Sequence, residues 1–225
     1  MMHGIVRGLL GGLFLSVAVC AKAQDLALKI DHETTALGAD GVTRITRFSE
    51  RLVRRDNQSW LSRLVPSVAH EDKASAGADK NHKHMDVNAA ARWVFRGQDG
   101  QLRVRIVNVH DRVVVDVGPA DYGNIGFDGR WTTAYQLMDP AQLQRMKVSD
   151  RPAPAGSRWY EGVSRDMRVQ LLWDEKAGYP RRIESSNARG TSSSQMVAMP
   201  ETMPTRLPWT GLAAYAQKEY ADLLD

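Results

Sequence analysis

The most concentrated set of potential metal ligands in this chain lies between His70 and Asp86, in the stretch HEDKASAGADKNHKHMD. His82 and His84 flank one lysine and Met85 follows directly, so two imidazoles and a thioether lie within one short segment. Imidazoles chelate Cu(II) and Ni(II), and a thioether suits Cu(I). The segment is therefore a candidate copper site at His70, His82, His84 and Met85. The alternative, which we favour, is an exposed polar loop, because these ligands follow no fixed motif spacing.

The surrounding residues, at about 67–88, are rich in Ala, Lys, Asp and Gly and show no apolar periodicity. Such composition predicts a long, mobile loop. Ordering a flexible loop around a metal costs conformational entropy, which weakens binding. The remaining histidines of the mature chain, His32 and His110, each lie beside an aspartate and are interpreted as ordinary strand or turn residues.

A second candidate site is the aromatic and glycine-rich stretch from Tyr122 to Trp131, YGNIGFDGRW. Its glycines permit close backbone approach, and Tyr122, Phe127 and Trp131 are candidates to line the mouth of a ligand pocket. The stretch has neither GxGxxG nor Walker spacing, so phosphate binding is not indicated. The simpler prediction, which we favour, is a hairpin with Asp128-Gly129 at its turn and with Phe127 and Trp131 in the core.

The sequence contains no recognisable catalytic constellation. It lacks GxSxG and HExxH, and the serines at 192–194 have no partner histidine nearby in sequence. The six tryptophans are dispersed over separate elements, which favours core and cavity lining over a platform for stacking bases. Trp93 and Trp173 therefore join the candidate ligand-binding residues. We predict a non-enzymatic protein with no catalytic residues.

Residues 1–23 have the organisation of a cleaved signal peptide. A short start containing Arg7 precedes GLLGGLFLSVAVC, an apolar run of 13 residues that is too short for a stable membrane span. Ala21-Lys22-Ala23 then provides the small-x-small pattern that signal peptidase reads, which predicts cleavage before Gln24. A lipid anchor on Cys20 is the alternative, although the valine before it does not suit the lipoprotein peptidase. No later stretch has the length and hydropathy of a membrane helix, so we expect an exported, periplasmic protein.

Cysteine content and charge exclude several functions of the mature chain. Cys20 is the only cysteine, so the chain after the predicted cleavage site has no disulfide, thiolate metal site or cysteine nucleophile. The signal contains Arg7 and Lys22 and no acid, so 30 basic and 26 acidic residues become 28 and 26, a net charge of +2. The basic residues form no dense run and are interleaved with apolar residues. Nucleic acid is therefore not an expected partner.

Residues 24–225 are predicted to form one α+β domain. Short strands rich in β-branched residues, separated by turn residues, are typical of an antiparallel meander. Helical periodicity appears over Thr132 to Met146, where Asp139-Pro140 starts a second helix. The apolar residues between Leu212 and Leu224 predict a C-terminal helix. The expected fold is a large antiparallel sheet with a helical insert and a C-terminal helix.

This pattern of strands resembles the periplasmic lipoprotein-carrier-like family, LolA and LolB, and the related amino-terminal domain of RseB. GVTRITRFSERLVRRDNQSWLSRLVP is similar to the opening hairpins of the family, and MRVQLLWDEKAGYPRRIESSNARGTSSSQMVAM is similar to the closing hairpins. The resemblance implies a curved half-barrel with an apolar cavity, which binds acyl chains or peptides and performs no covalent chemistry. The His-bearing loop departs from the family pattern.

Two functions are therefore expected. The leading prediction is a periplasmic binding or accessory protein that holds an apolar ligand, such as a lipid or acyl chain, or a segment of an envelope protein, in a half-barrel cavity. Its predicted ligand-binding residues are Trp93, Tyr122, Phe127, Trp131 and Trp173, and no cofactor is required. The alternative is a periplasmic copper-binding or copper-handling protein that uses the His-Lys-His-Met loop.

Overall fold

The computed structural model describes residues 25–65 and 89–223, which fold around one sheet of twelve strands. The strands are β1 (Leu26–Leu37), β2 (Thr43–Arg55), β3 (Gln58–Leu64), β4 (Ala91–Arg96), β5 (Leu102–Asn108), β6 (Val113–Val117), β7 (Lys147–Val148), β8 (Ser157–Ser164), β9 (Met167–Asp174), β10 (Tyr179–Asn187), β11 (Ser192–Glu201) and β12 (Ala216–Glu219). Their spatial order is β12-β6-β5-β4-β3-β2-β1-β11-β10-β9-β8-β7. Neighbouring strands pair antiparallel, except that β12 pairs parallel with β6. The predicted large antiparallel sheet is confirmed.

Two-residue turns and alternating side chains explain why these segments form strands. Arg165 and Asp166 both adopt positive φ, at 49° and 63°, which is the backbone of a tight hairpin turn between β8 and β9. Along each strand, successive side chains point to opposite faces of the sheet. Leu28 faces Leu52 across β1 and β2, and Leu52 faces Leu61 across β2 and β3, so one apolar row continues from strand to strand.

A helical insert between β6 and β7 covers one face of the sheet. The insert, residues 119–146, contains a 3₁₀ helix (Pro119–Ile125), α1 (Trp131–Gln136) and a second 3₁₀ helix (Pro140–Arg145). The side of the sheet that packs against it is called the insert face. Three buried clusters lie there, with members on the sheet that include Leu28, Ile30, Leu52, Val94, Val104, Ile106, Val115, Leu171 and Trp173. The predicted helical insert is therefore confirmed.

The other side of the sheet, called the opposite face, is partly covered by the C-terminal region. Ala27, Val53, Trp60, Ala91, Val107 and Val114 form its buried cluster, together with Leu212 and the half-buried Met203, Leu207, Trp209 and Tyr215. Beyond that cluster the opposite face is polar. Ion pairs join strands there: Arg47 of β2 lies 2.7 Å from Glu33 of the neighbouring β1, and Arg51 of β2 reaches across β1 to Glu201 of β11 at 2.7 Å.

The predicted C-terminal helix from Leu212 to Leu224 is wrong. A 3₁₀ turn (Leu212–Ala214), strand β12 and a second 3₁₀ turn (Tyr220–Leu223) occupy this region instead. Leu212 packs on the opposite face, whereas Tyr220 and Leu223 pack on the insert face, so the chain crosses the edge of the sheet between them. The apolar residues of this region therefore pack into two separate clusters and do not form the buried stripe of one helix.

The insert also differs from its sequence prediction in one part. The predicted hairpin at Asp128-Gly129 is absent, since Asp128 lies between the first 3₁₀ helix and α1, where its carboxylate accepts hydrogen bonds from Arg130 N–H and the Thr133 hydroxyl. Phe127 is buried, as expected. The helical break at Asp139-Pro140 is confirmed, because the Asp139 side chain caps the second 3₁₀ helix by accepting from Ala141 N–H at 3.0 Å.

Residues 1–24, which contain the predicted signal peptide, and residues 66–88, which contain the predicted His-bearing loop, lie outside the described residues. In the ranges that are described, no helix is long and apolar enough to cross a membrane.

Candidate functional site

The candidate site is a cleft of about 530 Å³ between the insert and the sheet. This volume falls within the range of roughly 300–1,000 Å³ that is usual for small-molecule sites. One wall comes from the insert and the other from β8, β9 and β10. The lining residues are Arg130, Met138, Asp139, Ala141, Gln142, Arg145, Met146, Gly162, Val163, Ser164, Val169, Leu171 and Ile183.

Strand register places the apolar floor of the cleft. Val169 and Leu171 are two residues apart on β9, so their side chains share the insert face, and Ile183 of β10 lies directly opposite Leu171. Leu171 also packs with Met138 of the insert and with Trp173 of β9 in a buried cluster. The alternation of side chains along β9 and β10 therefore fixes which residues form the floor of the cleft.

Gly162 allows the insert to approach the sheet closely at one end of the cleft. A Cβ atom at this position would lie 3.3 Å from Cγ and 3.9 Å from Cα of Met146. Any side chain at 162 would therefore meet the methionine and project into the cleft. Methionine is flexible and polarisable, so Met138 and Met146 suit a wall that must adapt to a ligand.

The mouth of the cleft is polar and carries more positive than negative charge. Asp139 Oδ2 lies 3.4 Å from Nη1 of Arg130, while Asp139 Oδ1 caps the 3₁₀ helix. Arg145 is exposed and has no carboxylate partner among the described residues. An apolar floor with a cationic mouth can bind an amphiphile. The lining has one hydroxyl, Ser164, and no histidine, so it does not provide a nucleophile with its general base.

Two buried polar side chains of the sheet hold α1 in place. Arg54 is 1% exposed and donates hydrogen bonds to the backbone carbonyl of Tyr135 at 2.6 Å and to that of Ala177. Ser59, 2% exposed, donates to the carbonyl of Ala134 at 2.6 Å. The last carbonyls of a helix lack partners within the helix, and α1 obtains them from β2 and β3. Burial lowers the pKa of Arg54, and nearby Tyr135 counteracts part of that shift.

A second polar cluster lies on the insert face, in the middle of β1 and β2. His32 Nε2 is 2.9 Å from Glu50 Oε2, and the imidazole stacks on Phe48 with ring centroids 4.5 Å apart. The guanidinium of Arg63 also lies over the Phe48 ring, 4.3 Å from its centroid. His32 is therefore a strand residue with a cross-strand partner, as its sequence context indicated.

Two further shallow cavities, of about 330 and 580 Å³, lie along the polar strands around β1. Both are bordered by Glu33 and Gln195. The other residues of the smaller cavity are mainly Ser, Thr, Arg and Glu, whereas the larger one combines Arg and Asp side chains with Phe48, Leu64, Val65 and Val197. The carboxylates already have partners: Asp31 accepts from Lys29 and Ser49, and these hydrogen bonds lower its pKa. Because the charges compensate one another, these cavities are weaker candidates for a ligand site.

The structure separates the five aromatic residues that the sequence analysis proposed as ligand-binding. Tyr122, Phe127 and Trp131 lie together in the cluster below the first half of the insert. Trp173 belongs to the buried cluster of Met138 and Leu171, two residues along β9 from Leu171. Trp93 lies on the opposite face, where it stacks on Phe95 at 4.4 Å. None of the five lines the cleft, and their role in binding stays a prediction.

The sequence analysis did not identify the aliphatic and thioether residues that line the cleft, above all Met138, Met146, Val169 and Ile183. A usable signal was present, because Val169 and Leu171 alternate along β9. What single-sequence reasoning lacked was the position of the insert above these two residues.

The proposed copper ligands His70, His82, His84 and Met85 all lie outside the described residues. Within residues 25–65 and 89–223, no group of three or more His, Cys, Asp or Glu side chains is placed to hold a metal ion. The copper site therefore stays a prediction from the sequence.

Comparison with known proteins finds no matching family model and no matching curated protein. Several solved structures match. MucB is 15% identical over 84% of this chain and 57% of MucB, with a TM-score of 0.40. A putative outer membrane lipoprotein-sorting protein domain from Vibrio parahaemolyticus is 9% identical over 83% of this chain and 88% of that domain, with a TM-score of 0.32. PNGF-II is 8% identical over 89% of this chain, with a TM-score of 0.40.

This chain spans 33% of the length of PNGF-II and 57% of the length of MucB. MucB, which is RseB, and a lipoprotein-sorting domain are the kinds of protein that the strand pattern resembles. All of these identities and TM-scores are low, so the function has to be argued from the residues of this chain.

Proposed function

We propose that this protein is a non-enzymatic periplasmic binding protein that holds an apolar chain, such as a lipid acyl chain, in the cleft between the insert and the sheet. The observation that carries the proposal is the apolar floor of Val169, Leu171 and Ile183 beneath a cleft of about 530 Å³. Apolar surface on both walls favours transfer of a hydrocarbon chain out of water. The predicted signal peptide supports the location.

The test uses Gly162→Leu, which adds a side chain to the wall of the cleft. The matched control is Gly123→Leu, because a Cβ at Gly123 meets nothing within 4 Å and the residue is exposed in the insert. Binding is measured with the neutral fluorescent probe N-phenyl-1-naphthylamine and its displacement by dodecyl maltoside.

The wild type and Gly123→Leu should bind the probe, and Gly162→Leu should bind it about tenfold more weakly. Because the new side chain displaces Met146, a cooperative urea transition of Gly162→Leu is required to show that the variant is folded. Equal binding by all three proteins would show that the probe binds outside the cleft, and would refute the proposal that the cleft holds an apolar chain. Failure of the wild type to bind any apolar probe would refute the proposed function as a whole.

A segment of an envelope protein is a second candidate occupant, and the edge of β8 supports it. Strand β7 pairs with β8 only at Tyr160 and Glu161, and beyond them Val163 is 77% exposed beside the cleft. An extended peptide can add to such an edge through backbone hydrogen bonds. If a peptide is the occupant, the charged substitution Val163→Lys should prevent binding of the partner protein and leave binding of the fluorescent probe unchanged. If an acyl chain is the occupant, the same substitution should leave binding of a partner protein unchanged as well.

A further inference from the structure

We infer that the cleft selects amphiphiles that end in one anionic group, a carboxylate or a phosphate, and that Arg145 contacts that group. The inference rests on the proposed function, because it names the chemical class of ligand for the same cleft. It is carried by the charges at the mouth of the cleft and by the position of Arg145 beside the apolar floor.

The carboxylate at the mouth is already engaged. Asp139 uses Oδ1 to accept from Ala141 N–H at 3.0 Å and faces Arg130 with Oδ2 at 3.4 Å. Arg145 lines the same cleft and has no ion pair or side-chain hydrogen bond within the described ranges. The two arginines and one aspartate leave a single positive charge uncompensated at the mouth.

Arg145 is placed where an apolar chain would have its polar end. It is the last residue of the second 3₁₀ helix and directly precedes Met146, whose side chain lies over Gly162. The apolar lining of the cleft therefore includes Met146, the residue that directly follows Arg145. On the facing wall, Ser164 adds a hydroxyl that can donate to the same anion.

The chemistry of guanidinium sets the expected preference. Its planar fork donates two hydrogen bonds to a carboxylate or a phosphate, and such charge-assisted bonds are stronger than neutral ones. A cationic amphiphile would place like charges together and should be disfavoured. Because Arg145 is exposed, water and salt screen the interaction, so we expect a preference of about tenfold at low salt rather than a much larger factor.

The experiment compares four ligands with the same chain, dodecanoate, dodecyl phosphate, dodecyl maltoside and dodecyltrimethylammonium, each below its micellar concentration. Their affinities are measured by displacement of N-phenyl-1-naphthylamine from the wild type, Arg145→Gln and Arg103→Gln. The last is the control, since Arg103 is exposed on β5, does not line the cleft and loses the same charge, although it also loses an ion pair with Asp99.

The wild type and Arg103→Gln should bind the two anionic ligands about tenfold more tightly than the maltoside, and Arg145→Gln should bind all three equally. Unchanged binding of the maltoside to Arg145→Gln shows that the cleft is intact. Equal affinities in the wild type would overturn the inference and leave the proposed function standing, whereas no binding of any ligand would overturn both. A preference confined to dodecanoate or to dodecyl phosphate identifies which anion the protein takes, and inorganic phosphate alone should not compete.

Discussion

Replacing Arg54 should destabilise the protein far more than replacing its neighbour Arg55. Arg54 is 1% exposed and donates to the carbonyls of Tyr135 and Ala177, which belong to α1 and to the turn between β9 and β10. Arg55 is the natural control, because it has the same side chain and pairs with Asp25 at 2.6 Å on the surface.

The magnitude follows from the two carbonyls. In Arg54→Met both lose a hydrogen bond from a charged donor. The buried carbonyl of Tyr135 costs about 1–3 kcal/mol when it is left unsatisfied, and the half-buried carbonyl of Ala177 costs less because water can reach it. Methionine keeps most of the volume, so the cavity contribution is small. Removing a buried charge also relieves its desolvation, which offsets part of the loss. We expect a net decrease of about 3 kcal/mol in the free energy of unfolding, against about 0–1 kcal/mol for Arg55→Met.

The assay is urea unfolding of both variants, followed by circular dichroism and by tryptophan fluorescence. The free energies are compared at equal m-values, so that a changed denatured state is not mistaken for a changed stability. Arg54→Lys adds a second comparison, because one ammonium cannot reproduce the two directed bonds of a guanidinium. If Arg54→Met falls within 1 kcal/mol of Arg55→Met, the assignment of Arg54 as the residue that holds α1 to the sheet is wrong.

Two further predictions concern metal and pH. If the His-Lys-His-Met segment binds copper, Cu(II) should remain on the mature protein after desalting, and His82→Ala with His84→Ala should abolish tight binding; unchanged affinity would exclude that segment as the site. Hydrogen bonds from Lys29 and Ser49 lower the pKa of Asp31, so its contribution to stability is present above its unfolded-state pKa and is lost as the pH falls through the lower folded-state pKa. Asp31→Asn should therefore flatten the loss of stability below about pH 4, and the matched change Asp150→Asn in an exposed loop should not; equal slopes in urea unfolding at a series of pH values would contradict this.

Local patterns in the sequence were enough to predict the class of fold and several of its breaks. Turn residues and β-branched runs predicted the antiparallel strands, because strand formation depends on side-chain alternation and on backbone conformations that local residues prefer. The Asp139-Pro140 dipeptide predicted a helix start, because the cap is made by the side chain of the same residue that marks it. Cysteine content excluded thiolate chemistry in the chain that follows the predicted cleavage site, without any structure.

The tertiary structure decided which apolar residues meet. Leu212 and Tyr220 look like members of one helix in the sequence, yet they pack on two faces of the sheet, because β12 pairs with the distant strand β6 and carries the chain across the sheet edge between them. The cleft arises for the same reason: Met146 and Ile183 are far apart in the chain, and only the placement of the insert over β9 and β10 brings them together. Local sequence sets the preference of each segment, whereas contacts between distant segments depend on the packing of the whole sheet.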